Sequence, residues 1–466
     1  MADFTGLGVI DGNKYGDKGL SYKAIGVFLR QIRHIRNFVI DITDIPASVT
    51  ATPTGIHWPM SQGTVIPNVV LQMSRRPGSQ QQGIFMEEGS GGLMADLVFC
   101  GDWGWNYESI HVEDCKIGVN MTAQSPESQN IGSIFFVDSE FVNAEAAFNT
   151  SRDEFSKPPT GGTLVIENVN FTIVKNIVHG PKDSVTLPGS SGTTVVDASG
   201  QGHWYTPTGP VKFEGYFTPN ERPSSLKDDN EYFKYSRPSY AGLTVSDIVS
   251  VHGYGATGNG RTDYTSAFQR AVTYAAKNNK LLFIDAGSYI MTRTLYFPAG
   301  LKITGEAYSV ILSAGSYFTN IDVARPVVQV GLPGKIGKIE WTYMVVSGQG
   351  LQSGAILIEE NLKSPDSQPC GIWYIHTRLG GFQGSRMGLN DRPKAPGTSL
   401  TPETENADCF AAFAKMHITP SAAGLHVENA IDEVGSDFKI NVYTGRGIWV
   451  DRYQITGSKD IFIGFG

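Results

Sequence analysis

The sequence predicts an all-β protein made of two tandem right-handed parallel β-helices, with a short capping helix at the start of the second. Strand runs begin at Gly55 (GIHW) and at Gly83 (GIFM), 28 residues apart. A repeat of about that length with two strand runs is typical of one β-helix coil. A glycine-rich stretch leading into a helix, Gly253–Gly300, lies mid-chain and indicates that a second solenoid starts there. The content of 54 glycines with only 18% charged residues favours short strands and turns over long helices.

Residues 1–195 are expected to form the first β-helix. Its strand runs alternate apolar with polar residues and are separated by Gly, Asn and Asp, as stacked parallel coils require. They read RNFVIDI, NVVLQM, DLVFCG, SIHVEDC, SIFFVDS and LVIENVNF in chain order. The step from DLVF to SIHV is only 13 residues. Either GDWGWN supplies the second strand of that coil, or part of a coil is absent.

Residues 196–242 are expected to be a packed connector. The segment mixes aromatic residues with Pro, Gly and charge, and it shows no apolar alternation. It is too aromatic for a flexible linker, so we expect it to pack along the solenoids.

Residues 243–466 are expected to form the second β-helix, opened by the capping helix. Ser266 and Gln269 have the spacing of a capping box. The apolar residues that share one helical face are Phe268, Ala271, Val272 and Ala275. Short strands follow at once: LLFID, SYIMT, TLYFP and LKITG. A helix placed there would cover the first hydrophobic coil of an open solenoid.

Charge and composition exclude several classes of partner. The formal net charge of -8 argues against nucleic acid and against an anionic membrane surface. No apolar run reaches the roughly 18 residues of a membrane span, and Met1 is not followed by a signal-peptide pattern. The nine histidines and four cysteines have no metal-ligand spacing, so no metal or other cofactor is expected.

Several long segments together resemble the fungal exo-β-1,3-glucanases of glycoside hydrolase family 55. They include TGIHWPMSQGTVIPNVVLQMS, WGWNYESIHVEDCKIGVNM, GAILIEENL and INVYTGRG, and they follow the family's order over nearly the whole chain. The resemblance implies two pectate-lyase-like β-helices and an inverting, exo-acting hydrolysis that releases glucose from β-1,3-glucan. It also implies an extracellular protein that is a monomer when complete.

The resemblance assigns roles to particular residues. Gln62 and Ser90 match the positions that hold the attacking water in the family. Glu359 matches a family glutamate at the substrate, and His376 lies in a run that resembles a family cleft segment. Trp58 and Trp373 are candidate sugar platforms, because aromatic faces pack on the CH faces of pyranose rings. For any one of these aromatic residues, a place in the core is the alternative.

The general acid is expected to be absent from this chain. The family places one functional glutamate soon after the run that matches GRGIWVD, and the general acid after the run that matches IFIGFG, with which this chain ends. We therefore expect β-helix ends without their capping parts and no laminarin hydrolysis above background. The alternatives are a non-catalytic glucan-binding β-helix and another polysaccharide-cleaving β-helix, a pectate lyase or polygalacturonase.

Overall fold

The computed structural model describes most of the 466-residue chain. The described residues are 8–11, 23–26, 38–46, 52–58, 62–67, 69–86, 90–95, 105–122, 131–159, 161–206, 208–222, 227–232, 237–306, 308–365, 369–380, 384–387, 410–428, 432–434 and 442–451. They form two compact units. Unit 1 comprises Met1–Glu221 with Ile463–Gly466, and unit 2 comprises Arg222–Phe462. The described residues contain many strands and one α-helix, and most strand pairs are parallel, which confirms the predicted fold class.

Unit 1 contains the strands β1 to β15. In chain order they are Gly8–Asp11, Lys23–Gly26, Phe38–Asp41, Thr54–Trp58, Gln62–Pro67, Val69–Gln72, Gln82–Met86, Ser90–Ala95, Trp105–Glu108, His111–Glu113, Ile117–Met121, Ser133–Thr150, Thr163–His179, Val185–Thr206 and Gly209–Tyr216. A short 3-10 helix, Pro181–Asp183, joins β13 to β14. Pairing is parallel up to β13 and antiparallel from β13 to β15. The long antiparallel strands therefore occupy one edge of the parallel stack.

The coil length of unit 1 matches the predicted repeat. Thr54 pairs with Gln82 across two parallel strands, a step of 28 residues, and the side chains of these residues are hydrogen bonded. The coils that follow have steps of 29 and 30 residues. Ser90–Ala95 also pairs directly with Trp105–Glu108, so the last two residues of the GDWGWN run begin a strand.

Packed rings fill the interior of unit 1. The stacked pair of Tyr107 and Phe136, with centroids 4.4 Å apart, continues into Phe141, Phe148 and Phe171. All five side chains are almost fully buried. Phe136 is the register partner of Tyr107, and Phe141 is the register partner of Phe171, so parallel stacking of the coils places the rings of each pair in contact.

The segment predicted to be a connector contains strands in the structure. Residues up to Thr206 and the segment Gly209–Tyr216 are strands that pair in register with β13 and β14. The predicted boundary between residues 195 and 196 falls inside β14, and the two units divide at Glu221 instead. The apolar alternation that would have revealed these strands is weak, since many of their side chains face solvent.

Unit 2 contains the helix α1 and the strands β16 to β34. The strands are Lys227–Asp228, Glu231–Tyr232, Ile248–Ser250, Asn259–Asp263, Leu281–Ile284, Gly287–Met291, Leu295–Phe297, Lys302–Gly305, Ser309–Ser313, Arg325–Val330, Glu340–Gly348, Ala355–Glu360, Cys370–Leu379, Phe410–Ala412, Ala414–Ile418, Leu425–Glu428, Asp432–Val434, Tyr443–Thr444 and Ile448–Val450. Its 3-10 helices are Val245–Asp247, Val251–Tyr254 and Ser316–Phe318. Parallel strands of a ten-stranded and a five-stranded sheet make up most of this unit.

The predicted capping helix is present as α1, Thr265–Lys277. The four residues predicted to share its apolar face are all fully buried. The predicted capping box is wrong, because the helix begins at Thr265 and Ser266 makes no cap. Gln269 instead exchanges two hydrogen bonds with the backbone of Tyr296, at 2.9 and 2.8 Å. This side chain joins the helix to the first strand of the five-stranded sheet.

The connector's last residues pack on unit 2. Tyr240 donates a hydrogen bond to Glu340 at 2.9 Å. The guanidinium of Arg237 lies 4.7 Å from the ring centroid of Tyr343, which stacks on Tyr374. These contacts hold the chain against the coil edge.

Candidate functional site

A row of side chains crosses the five-stranded sheet of unit 2 on the face opposite to the core. The parallel register places its members side by side on neighbouring strands, and they are Tyr296, Gln329, Glu359, His417 and Trp449. Their strand neighbours, such as Val328 and Ile358, are buried in the core. We call these five residues the outer row. Successive strand residues point to opposite faces, so these five side chains share one face while their strand neighbours fill the core. The row has an aromatic residue at each end and polar side chains between them.

The carboxylate of Glu359 is the centre of the outer row. Its Oε1 accepts hydrogen bonds from Gln329 Nε2 at 2.9 Å and from Asn361 Nδ2 at 3.0 Å. Its Oε2 lies 3.8 Å from His417 Nδ1, and 15% of the side chain is exposed. Each carboxyl oxygen can accept more than one hydrogen bond, so Glu359 keeps acceptor capacity beside its two amide donors. Such a group is suited to binding sugar hydroxyls.

His417 and Trp449 form the aromatic side of the row. Their rings are stacked with centroids 3.8 Å apart and planes 9° apart. The guanidinium of Arg446 lies 4.8 Å from the Trp449 centroid. Burial is the main cause that lowers the pKa of His417, while Glu359 and Asp451 act in the opposite direction. A neutral imidazole offers one donor and one acceptor to a neutral ligand.

Glu360 follows Glu359 in the strand but lies inside the coil. It is fully buried, and burial raises the pKa of its carboxyl to about 8. Its Oε1 accepts a hydrogen bond from the Leu362 amide at 2.9 Å, whereas Oε2 has no hydrogen-bond partner. A carboxyl group in this position cannot meet a polysaccharide on the surface.

Two predicted substrate-binding residues are buried. Trp373 has no exposed surface, and its ring lies across Gly371 of the same strand. His376 is 7% exposed, and burial together with Arg378 lowers its pKa to about 4. Neither side chain offers a face to a sugar in this structure, so the platform predicted at Trp373 is replaced by a packing role. Sequence pattern alone could not separate the two roles, because both use an aromatic residue in a strand.

The predicted residues of unit 1 are placed by their strands alone. Gln62 and Ser90 are register partners on neighbouring parallel strands. Trp58 ends the strand Thr54–Trp58 and pairs with Met86. The side chains of these three residues lie outside the described part of the structure, so their predicted roles stay predictions. The register does bring the two water-holding candidates to adjacent positions.

The outer row was only partly visible in the sequence. Glu359 was a candidate, whereas His417, Trp449 and Gln329 were not. The strands Ala414–Ile418 and Ile448–Val450 bring His417 next to Glu359 and Trp449 next to His417. Among the described residues, no group of three or more His, Cys, Asp or Glu side chains is arranged to hold a metal ion. No described helix has the length and apolar character of a membrane span.

Comparison with known proteins identifies the family. The family described as rhamnogalacturonase A/epimerase, pectate lyase-like, matches residues 1–149 and 248–333. The chain belongs to this pectate-lyase-like family. Both matched ranges include coil-forming strands, and the second includes α1. This agrees with the observed parallel β-helical fold.

Fungal relatives add detail. A glucan 1,3-beta-glucosidase of Cochliobolus carbonum is 35% identical over 98% of this chain and 64% of its own length. A probable glucan endo-1,3-beta-glucosidase of Arthroderma benhamiae is 27% identical over 99% of this chain and 68% of its own. The non-secreted LysM effector LysM19 of Penicillium expansum is 33% identical over 91% of this chain and 36% of its own. The chain thus spans between 36% and 68% of the length of these relatives. The predicted resemblance to fungal family 55 glucanases is confirmed.

Proposed function

We propose that this protein acts on β-1,3-glucan and that the outer row of unit 2 holds the sugar chain. The observation that carries the proposal is the hydrogen-bonded carboxylate of Glu359, flanked by aromatic residues, on a chain 35% identical to a glucan 1,3-beta-glucosidase. Carbohydrate sites combine charged acceptors for hydroxyl groups with aromatic rings for the CH faces. The outer row supplies both.

The finer part of the proposal is an exo-acting hydrolysis with inversion that releases glucose. Inverting glycosidases hold a water molecule opposite the leaving group. Gln62 and Ser90 are assigned to that water, and their adjacent register supports the assignment. One relative is named a glucan 1,3-beta-glucosidase and another a probable glucan endo-1,3-beta-glucosidase, so product analysis decides between the exo and endo modes.

A second candidate function is glucan binding without hydrolysis. Among the carboxyl groups that the structure describes, Glu360 has a raised pKa, but it faces the interior. Glu359 accepts two amide hydrogen bonds on one oxygen and offers its other oxygen as a further acceptor to a ligand. The described part of the site is therefore better suited to holding sugar than to protonating it.

Incubation of laminarin with the 466-residue protein tests the proposal. Glucose release is followed with time, and NMR of the fresh product distinguishes the α-anomer, expected for inversion, from the β-anomer. The variant Glu359→Gln is compared with Glu140→Gln, which alters another carboxylate paired with a histidine on the neighbouring strand, His111, at 3.1 Å. Hydrolysis that falls in Glu359→Gln and persists in Glu140→Gln supports the proposal.

The other outcomes are equally informative. Binding of laminarin without glucose release supports the second function. Long oligosaccharide products contradict the exo mode. Cleavage of polygalacturonate with no response to laminarin contradicts the proposed substrate. The extracellular location and the monomeric state stay predictions.

A further inference from the structure

A cavity of about 670 Å³ opens on the surface of unit 1. Its polar lining comes from Asp114, Asn143, Glu145, Lys175, Ser190 and Ser191. We call it the corner groove. Its volume falls in the range of sites that hold small ligands, roughly 300–1,000 Å³.

The turns of successive coils build one side of the corner groove. Asp114, Asn143 and Ile173 occupy equivalent corners of three coils, and all have left-handed backbone conformations with φ between 54° and 56°. Asn143 Nδ2 donates a hydrogen bond to Asp114 Oδ1 at 2.7 Å, which links two of the corners. Strand stacking thus places two polar corners and one apolar corner at a spacing of roughly 4.8 Å. A linear ligand laid across the coils would meet one corner after another.

The antiparallel strand β14 closes the groove at its end. Its pairing with β13 is irregular between Thr172 and Val174. Gly189 approaches Val174 so closely that an added Cβ would lie 2.0 Å from the Val174 carbonyl oxygen. Ser190 and Ser191 lie beside this irregularity and line the groove. Bulges of this kind are frequent beside binding sites, where they redirect side chains.

The groove carries charged side chains of both signs. Asp114 and Glu113 share Arg75, at 3.1 and 3.5 Å. Glu145 and Lys175 supply one further charge of each sign, and both are exposed. A site with small charges of both signs and many hydroxyl-bonding groups suits a neutral polyhydroxylated ligand better than a strongly charged one. Ile173, 52% exposed, adds an apolar surface of the kind that packs on the CH face of a sugar.

We propose that the corner groove is a second saccharide-binding site, which holds a short segment of neutral glucan. The identity of the sugar rests on the proposed function, whereas the existence of the site rests on the groove itself. A site in unit 1 in addition to the outer row of unit 2 gives the chain two places to hold the same polymer. Two linked sites strengthen retention of a long ligand without any new contact.

Calorimetric titration of the 466-residue protein with laminarihexaose tests the proposal. The variant Ser191→Trp fills the groove with an indole ring. Its matched control is Val195→Trp on the same strand, since Val195 is 55% exposed and does not line the groove. We expect two binding sites in the wild type and in Val195→Trp, but one in Ser191→Trp. Unchanged stoichiometry in Ser191→Trp would overturn the proposal.

Cys115 gives an independent readout, because it is a free thiol that lines the groove. Burial and Asp114 raise its pKa, so alkylation is followed at alkaline pH and mapped to the Cys115 peptide by mass spectrometry. Laminarihexaose should slow alkylation of Cys115 several-fold. Equal rates with and without the sugar count against the site. Protection by hexagalacturonic acid instead would overturn the neutral-ligand assignment.

The two proposals can fail separately. If Glu359→Gln leaves binding unchanged while Ser191→Trp removes a site, the outer row is wrong and the corner groove stands. The opposite pattern contradicts the corner groove alone. If laminarihexaose binds at neither site, both assignments to glucan are overturned.

Discussion

Glu359 and Glu360 are consecutive residues of one strand, yet their carboxyl groups lie in opposite environments. Glu359 accepts hydrogen bonds from two side-chain amides on the outer face of the sheet. Glu360 is fully buried with one oxygen unpaired. The strand alternation alone causes this difference. Glu359 is therefore available to a ligand, whereas the buried Glu360 affects the stability of the fold.

The buried carboxyl of Glu360 should make stability fall as pH rises. Its pKa is about 8 in the folded protein against 4.5 in the unfolded chain, so the folded state binds more protons between these values. The contribution of Glu360 to the free energy of unfolding is fully present below about pH 4.5. As pH rises from about 4.5 to about 8, this contribution decreases by about 1.4 kcal/mol per pH unit. Chemical denaturation at several pH values measures the slope.

The variant Glu360→Gln isolates that effect. It keeps the acceptor for the Leu362 amide but has no ionisable proton. We expect it to be more stable than the wild type at pH 8 and to lack the decline. If the free energy of unfolding falls equally with rising pH in the variant and in the wild type, Glu360 is not the group responsible.

His376 should have the opposite dependence. Its pKa is lowered from 6.5 to about 4, so the unfolded chain binds more protons in that interval. Stability from the neutral imidazole is present above about pH 6.5 and is lost as pH falls towards 4. As pH falls from 6.5 to 4, the free energy of unfolding should decrease less in His376→Gln than in the wild type. The difference should be a few kcal/mol at most. If the free energy of unfolding falls between pH 6.5 and 4 by the same amount in both proteins, His376 is not the group responsible.

Truncation of the capping helix core should be costly. Phe268 is fully buried and packs edge-on against Tyr289, with centroids 5.5 Å apart. Phe268→Ala should lower the free energy of unfolding by about 3–5 kcal/mol. Tyr274→Ala, on the same helix but 46% exposed, is the control and should cost much less. Equal effects in thermal melts would mean that α1 does not seal the coil.

Gly371 should tolerate no side chain. An added Cβ would lie 1.9 Å from the Trp373 ring, which has no room to move because it is buried. Gly371→Ala should therefore destabilise unit 2 by about 1–3 kcal/mol. Gly253→Ala is the matched control, since nothing lies within 4 Å of its added Cβ. A melting temperature of Gly371→Ala equal to that of the control would refute the packing role of Trp373.

Local patterns made much of the fold predictable. The buried face of α1 has helical periodicity, and the step from Gly55 to Gly83 equals the coil length of the first unit. The capping box was wrong because Gln269 bonds to Tyr296, 27 residues further on, and such a contact leaves no local signal. The strands after residue 195 were missed because their exposed residues hide the alternation.

The outer row was harder to predict because the coils of unit 2 differ in length. Gln329 and Glu359 are 30 residues apart, whereas Glu359 and its register partner His417 on the next strand are 58 apart. Without a fixed period, the partner of Glu359 cannot be read from spacing. Burial of Trp373 likewise depends on packing that a single strand pattern does not contain.

The affinity of the Glu359→Gln variant for laminarihexaose tests the central claim, that the outer row holds β-1,3-glucan. Replacing the carboxylate removes charge-assisted hydrogen bonds to sugar hydroxyls, so the dissociation constant should rise at least about tenfold at one site. Glu140→Gln should bind like the wild type. A Glu359→Gln variant that is folded and binds with unchanged affinity would contradict the account.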